Sequence, residues 1–173
     1  MKPSPEIRPI LRPELTEADY LLEAAAFLGL AAIWILAVTA YQSLPEIIPT
    51  HYGIKGQADD WGNKATIFIL PVISLVLIIG MSILNRFPNI FNYPVKVNEE
   101  NALQLYRKGT LLIRIIKVFI VILFLFIEWR ICDVPENNQL PVWFLPVVLI
   151  VPVILPVIMA FIMTGKTLSG KRS

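Results

Sequence analysis

Hydrophobic positions along this chain fall into four long runs, and polar positions gather between them. The runs are Ala24 to Tyr41, Ala65 to Leu84, Gly109 to Trp129 and Leu140 to Thr164. Crossing about 30 Å of hydrocarbon takes about 20 apolar residues in helical form, and each run has that length. The expected spans are about 21–42, 65–85, 109–130 and 140–164, flanked by an arm 1–20 and a tail 165–173. The third run contains Arg114 and Lys117 in its first half and Glu128 near its end. It still reads as a span, because Val118 to Ile127 is unbroken and long cationic side chains near a helix end reach back to the headgroups. The expected fold class is all-α, a polytopic membrane protein with four transmembrane helices.

Composition agrees. The 173 residues are 56% hydrophobic and only 16% charged, with a mean hydropathy of +0.68. A water-facing globule usually carries about 25% charge, so the chain lacks the polar surface to cover one. The same figures argue against a disordered chain, a disulfide-stapled module or a nucleic-acid binder with a dense basic face.

Basic residues set the expected orientation, since cytoplasmic flanks carry the excess of Lys and Arg. Lys2, Arg8 and Arg12 in the arm, Arg86, Lys96, Arg107 and Lys108 in the middle connection, and Lys166, Lys171 and Arg172 in the tail fall on one side. The opposite connections hold only Lys55, Lys64 and Arg130. Both termini are therefore expected in the cytoplasm, which requires an even number of crossings. A rival reading makes the first span a signal peptide cleaved after Val38-Thr39-Ala40. The long acid-containing arm and the charge alternation oppose it.

Between the spans, the proline-rich arm Met1 to Pro13 is expected to be extended and mobile until a helix starts at Thr16-Glu17-Ala18-Asp19, a capping signature. Asn98 followed by Glu99 and Glu100 predicts a third helix beginning near Glu99. The fourth span carries Pro141, Pro146, Pro152 and Pro156 and is expected to bend. The bend is either a hinge or a static kink. The lone Cys132 has no intramolecular disulfide partner and reads as an inert thiol or an intermolecular link.

Two constellations carry candidate chemistry. At about 100° per residue, Arg107, Thr110, Arg114, Lys117 and Glu128 fall within an arc of about 80° on the third helix. Glu23 on the first helix lies within reach of Arg114 or Lys117, and Glu128 is expected near Lys64 or Arg130. Such a face serves ion pairing that fixes helix register, an ion or proton path, or anionic lipid binding by Arg107, Lys108, Arg114 and Lys117. The second constellation is the outer connection Leu44 to Lys64, where two prolines, three glycines, the only histidine and Trp61 share 21 residues. Such density predicts a specified turn structure. Here His51, Asp59, Trp61 and Lys64 are the candidate ligand-binding residues. His51 with Glu46, Asp59 and Asp60 lacks the accompanying motifs of a metal centre, so no metal, no cofactor and no catalytic residue is expected.

The outer connection also has the pattern Leu-Pro-x-x-Ile-Pro-x-His-Tyr-x-x-x-Gly-x-x-Asp-x-Trp-Gly-x-Lys. It resembles the N-terminal membrane domain of bacterial SdpI-like proteins, a domain of unknown function found at the front of the Sdp toxin-immunity protein and also alone. Phe91-Asn92-Tyr93-Pro94, Glu99-Glu100-Asn101 and Tyr106 resemble the cytoplasmic connection of stand-alone members. The resemblance spans roughly Ile33 to Trp129 and implies a stand-alone four-helix member in a bacterial cytoplasmic membrane. Residues matching the outer motif are Leu44, Pro45, Ile48, Pro49, His51, Gly56, Asp59, Trp61, Gly62 and Lys64, and no catalytic role comes with them. The immunity protein is similar only over its front part and has further helices behind it.

Three functions follow as expectations. The first is a non-enzymatic sensor or immunity-type protein that meets an extracytoplasmic peptide or protein ligand through the outer connection. The second is a small transport accessory or channel using the charged face of the third helix. The third, a membrane enzyme, would need convergent polar groups at one depth. The lipid bilayer is the expected partner, nucleic acid is not, and the oligomeric state is open.

Overall fold

A computed structural model describes residues 8–133 and 139–169, with side chains to residue 165. Lys2, Lys171, Arg172 and the Lys166 side chain lie outside the described residues. Four helices make up the body: α1 (Glu17–Ala40), α2 (Ile69–Leu84), α3 (Ala102–Cys132) and α4 (Phe144–Ser169). All four are long and apolar enough to cross a membrane, α2 together with the short 3-10 turn Lys64–Phe68 that leads into it. The chain is a multi-pass, mainly helical membrane protein. To the helices the structure adds one small sheet, in which β1 (Ile47–Tyr52) pairs antiparallel with β2 (Ala58–Asn63) in the outer connection.

Helix α1 begins where its capping box dictates. The Asp19 carboxylate accepts from the Thr16 amide at 2.8 Å and from its hydroxyl at 2.7 Å, while the Asp19 amide donates to Thr16 Oγ1 at 3.3 Å. The start of α3 differs from expectation by three residues. Asn98 and Asn101 bond reciprocally, amide to side-chain oxygen, at 2.8 and 2.9 Å, so Glu99 and Glu100 form a turn and the helix proper opens at Ala102.

The arm also departs from expectation over its described part. Instead of moving freely, residues 8 and 9 are docked at the cytoplasm-assigned end of the bundle. Arg8 donates to the carbonyls of Asn89 and Phe91 at 3.1 and 2.7 Å, and the buried Tyr106 hydroxyl donates to the Pro9 carbonyl at 2.9 Å. The irregular segment around Pro88–Ile90 leaves carbonyls outside any ladder, and a guanidinium with five donors satisfies them. Tyr93 closes the same region by donating to the Pro88 carbonyl at 2.9 Å, and burial pushes its phenol up from the ordinary range.

Packing centres on α1 and α3, which run parallel. The inward residues of α1 are Asp19, Ala26, Leu30, Ile33 and Ala37, with Glu23 between the first two. Spacings of four and three alternate throughout, the repeat of a supercoiled seam. On α3 the matching residues are Thr110, Arg114, Lys117, Val121, Glu128 and Ile131. In lipid the hydrophobic effect does not drive helices together, so close fit and polar contacts must. Ala26, Leu30 and Ile33 pack with Ile78 and Val121 at mid-height. Ala37, Leu44, Ile48, Ile67 and Ile131 close the hairpin end, and Val97, Ala102, Leu105, Tyr106 and Met163 the opposite one.

Candidate functional site

The hairpin between α1 and α2 stands on an apolar footing. Ile48 is 1% exposed and Leu44 7%, both set into the cluster at the helix ends, so the sheet is fixed to the bundle and does not hang from it. At its base the Lys64 amide donates to the Glu46 carbonyl at 2.9 Å. The Lys64 ammonium also pairs with the Glu46 carboxylate at 2.9 Å and lies 5.3 Å from the centre of the Tyr41 ring. Lys64 is thus a clamp that joins the end of α1 to both hairpin strands.

At the tip, Gly56 takes φ +76°, a left-handed conformation that glycine adopts at no steric cost. Its carbonyl accepts from the Leu140 amide at 2.7 Å, and Gln57 bridges Gln139 antiparallel. The chain entering α4 therefore braces the tip. A Cβ at Gly56 would stand 2.5 Å from the Leu140 carbonyl oxygen. Gly56→Ala is expected to lower stability by about 1–3 kcal/mol, measured as a drop in the thermal midpoint in detergent. Gly80→Ala, in α2, is the control. Its Cβ would meet nothing within 4 Å, and the helix gains from the change.

Two of the four ligand candidates come together. His51 Nδ1 lies 2.5 Å from Asp59 Oδ1 across the hairpin, and both side chains are more than half exposed. Trp61 pairs in register with Pro49 on the opposite strand and is 51% exposed. Lys64 is not grouped with them, because Glu46 and Tyr41 hold it at the base. Asp60 accepts from the Trp61 amide at 2.9 Å. Glu46, Asp59, Asp60 and His51 are thus divided among three separate contacts, and among the described residues no cluster of three metal-ligating side chains occurs.

Beneath the hairpin is an apolar cavity of about 300 Å³. Its lining includes Ile48, Ile67, Ile127, Ile131 and Phe144, with His51 at its edge among the polar residues. The sequence named His51 but not the hollow, since the cavity needs four elements to converge.

At the other end of the bundle the charged face of α3 turns inward. Arg114 donates to Asp19 and to Glu23, each at 3.1 Å. Lys117, fully buried, donates to Glu23 and, at 3.0 Å, to the Ser82 hydroxyl of α2. Two cations meet two carboxylates. Glu23 was legible as a partner. The sequence marks Asp19 only as a cap, and its second oxygen is what serves Arg114. Arg107 lies on the exposed part of the arc and Thr110 is buried. Glu128 is fully buried, and neither expected partner reaches it. Lys64 pairs with Glu46, while Arg130 donates to Asp133 at 3.3 Å and to the Gln139 carbonyl at 2.9 Å.

These features define a polytopic four-helix membrane protein with a braced, water-facing hairpin and a neutralised charge cluster at the far end. Residues 28–75 match a domain of unknown function, DUF1648. That stretch holds the second half of α1, the whole hairpin and the start of α2. The chain is also similar to a protein of Archaeoglobus fulgidus described as uncharacterized, with 25% identity over 162 residues, 86% of this chain and 88% of the other. No solved structure matches the chain.

Proposed function

We propose that this protein is a non-enzymatic sensor or immunity-type protein of the cytoplasmic membrane, with both ends inside, that meets an extracytoplasmic peptide or protein through residues 44–64. One observation carries the reading: the hairpin is anchored below and braced at its tip while His51, Asp59 and Trp61 stay open to water. A rigid platform loses little entropy when a partner docks, and a half-exposed tryptophan is the residue type that dominates such contacts. The cavity beside His51 suits one apolar side chain of that partner. The resemblance of Leu44 to Lys64 to SdpI-like proteins supports the immunity form of this function and a bacterial cell membrane as its place. Pairing of Arg114 and Lys117 with Asp19 and Glu23 favours a structural role for that face over conduction.

The test is survival of cells with and without the chain under challenge by secreted peptide toxins. Trp61→Ala is expected to cost about 2 kcal/mol or more of binding, about 30-fold in affinity, with His51→Ala weaker but in the same direction. Both variants should reach the membrane at parental levels. Full protection by both at equal abundance would reduce the hairpin to scaffolding.

A further inference from the structure

Glu128 pairs with no cation among the described residues. It is fully buried, and among the described residues neither carboxyl oxygen has a hydrogen-bond partner. The parallel register of α1 and α3 explains this. Arg114 meets Asp19 and Lys117 meets Glu23, at sequence separations of 95 and 94. The same offset carries Glu128 to Ile33 and Trp34, and the next seam residue is Ala37. The ladder that supplies carboxylates to two cations thus supplies nothing to Glu128.

Among the described residues, the surrounding elements hold no counter-charge bonded to Glu128. Helix α1 has no ionisable residue from Ala24 to Ala40, α2 none from Ala65 to Leu84, and the described part of α4 none before Gly165. Tyr41, at the end of α1, faces the Lys64 ammonium, which is paired with Glu46. On α3 itself, Lys117 lies three turns away on the far side of Val121 and is bound to Glu23, and Cys132 offers only a thiol. Arg130, about 200° round the helix from Glu128, gives its two terminal nitrogens to Asp133 and the Gln139 carbonyl, while its buried Nε has no partner among the described residues. His51 and Asp59 of the hairpin pair with each other in water. An ionised Glu128 would be an uncompensated charge in hydrocarbon, which proteins avoid by neutralising the group.

A second buried oxygen points the same way. Ser74 is fully buried on α2, and its hydroxyl has no partner among the described residues. It shares a helix face with Ser82, which meets Lys117. Two turns from Ser82 place Ser74 about 12 Å toward the hairpin end, and three turns from Lys117 place Glu128 about 16 Å in the same direction. Helix α2 therefore carries a buried hydroxyl between the levels of Lys117 and Glu128. Ile127 and Ile131, which flank Glu128 along α3, line the cavity under the hairpin, so the short way in is from the hairpin side.

We propose that Glu128 is an intramembrane proton-binding site: its carboxyl holds one exchangeable proton, taken up from the hairpin side of the membrane. The two readings share only the cavity under the hairpin; Glu128 itself has no part in peptide recognition, and the test below needs no partner.

The test uses the full chain reconstituted in liposomes at neutral pH. Infrared spectra should show a carboxylic-acid carbonyl band that shifts in heavy water and is missing in Glu128→Gln. Dicyclohexylcarbodiimide, which partitions into the bilayer, should label the parent. The acid proton moves to a carbodiimide nitrogen, the carboxyl oxygen bonds to the central carbon, and rearrangement to the N-acylurea retains every atom. Mass spectrometry should place the adduct on the peptide containing Glu128, and a water-soluble carbodiimide should leave that peptide unmodified. Glu128→Gln, neutral and nearly isosteric, should lose the adduct and melt within about 2 °C of the parent. A parent that lacks the acid band, or that is not labelled at Glu128, overturns the proposal whatever the variant does.

Discussion

Lys117→Met is expected to destabilise the folded bundle by about 3–5 kcal/mol. The lysine is fully buried, and its ammonium bonds both Glu23 and Ser82. Methionine fills much of the same space, so the loss is electrostatic: the cluster retains Asp19, Glu23 and Arg114, one negative charge too many inside a helix bundle. Breaking one member of a buried pair is costly because it leaves the other uncompensated, whereas removing both can be nearly neutral. Glu23→Gln added to Lys117→Met restores the balance of Arg114 against Asp19. The double variant should therefore be more stable than the sum of the single changes predicts, with a coupling of about 3 kcal/mol in a double-mutant cycle. Sodium dodecyl sulfate titration of the detergent-folded protein measures it. Strict additivity of the two changes would show that the cluster does not act as a unit.

Much of this cluster was legible in the sequence, because helical periodicity alone puts Arg114, Lys117 and Glu128 on one face and the span boundaries put Glu23 at the same depth. Asp19 was harder to see. Its place three residues after Thr16 marks it as a cap, and only the tertiary register shows that one carboxylate caps α1 with one oxygen and binds Arg114 with the other. Glu128 misled for a related reason. The sequence supplied Lys64 and Arg130 as cations at its depth but not their prior commitments to Glu46, Asp133 and the Gln139 carbonyl. Glycine and proline density announced a specified structure in residues 44–64. It did not announce a hairpin, because β1 contains Pro49 and the register slips beside His51. The docked arm was invisible for the opposite reason: its bonds run from Arg8 and Tyr106 to backbone carbonyls, which leave no mark in a side-chain pattern.

The apolar middle of the α1–α3 seam gives the second large effect, and it turns on one missing side chain. A Cβ at Gly29 would stand 2.0 Å from Val121 Cγ1 and 3.4 Å from Val121 Cβ. Contact at that distance cannot exist, and valine in a helix has essentially one rotamer to offer. Any larger residue must push the two helices apart where fit, not exclusion of water, holds them together. Gly29→Leu is expected to destabilise by at least about 3 kcal/mol. Gly29→Ala should cost less, since improved helix propensity returns up to about 1 kcal/mol. The decisive comparison is Val121→Ala. In the parent it removes buried methyl groups and should destabilise by about 1 kcal/mol. In the Gly29→Ala chain it removes the clashing carbon and leaves an ordinary 3.4 Å contact, so the same substitution should there be stabilising. That reversal of sign, read from unfolding midpoints in one detergent, identifies the close approach as the cause. If Val121→Ala destabilises both chains equally, Gly29 is not the point on which the seam closes.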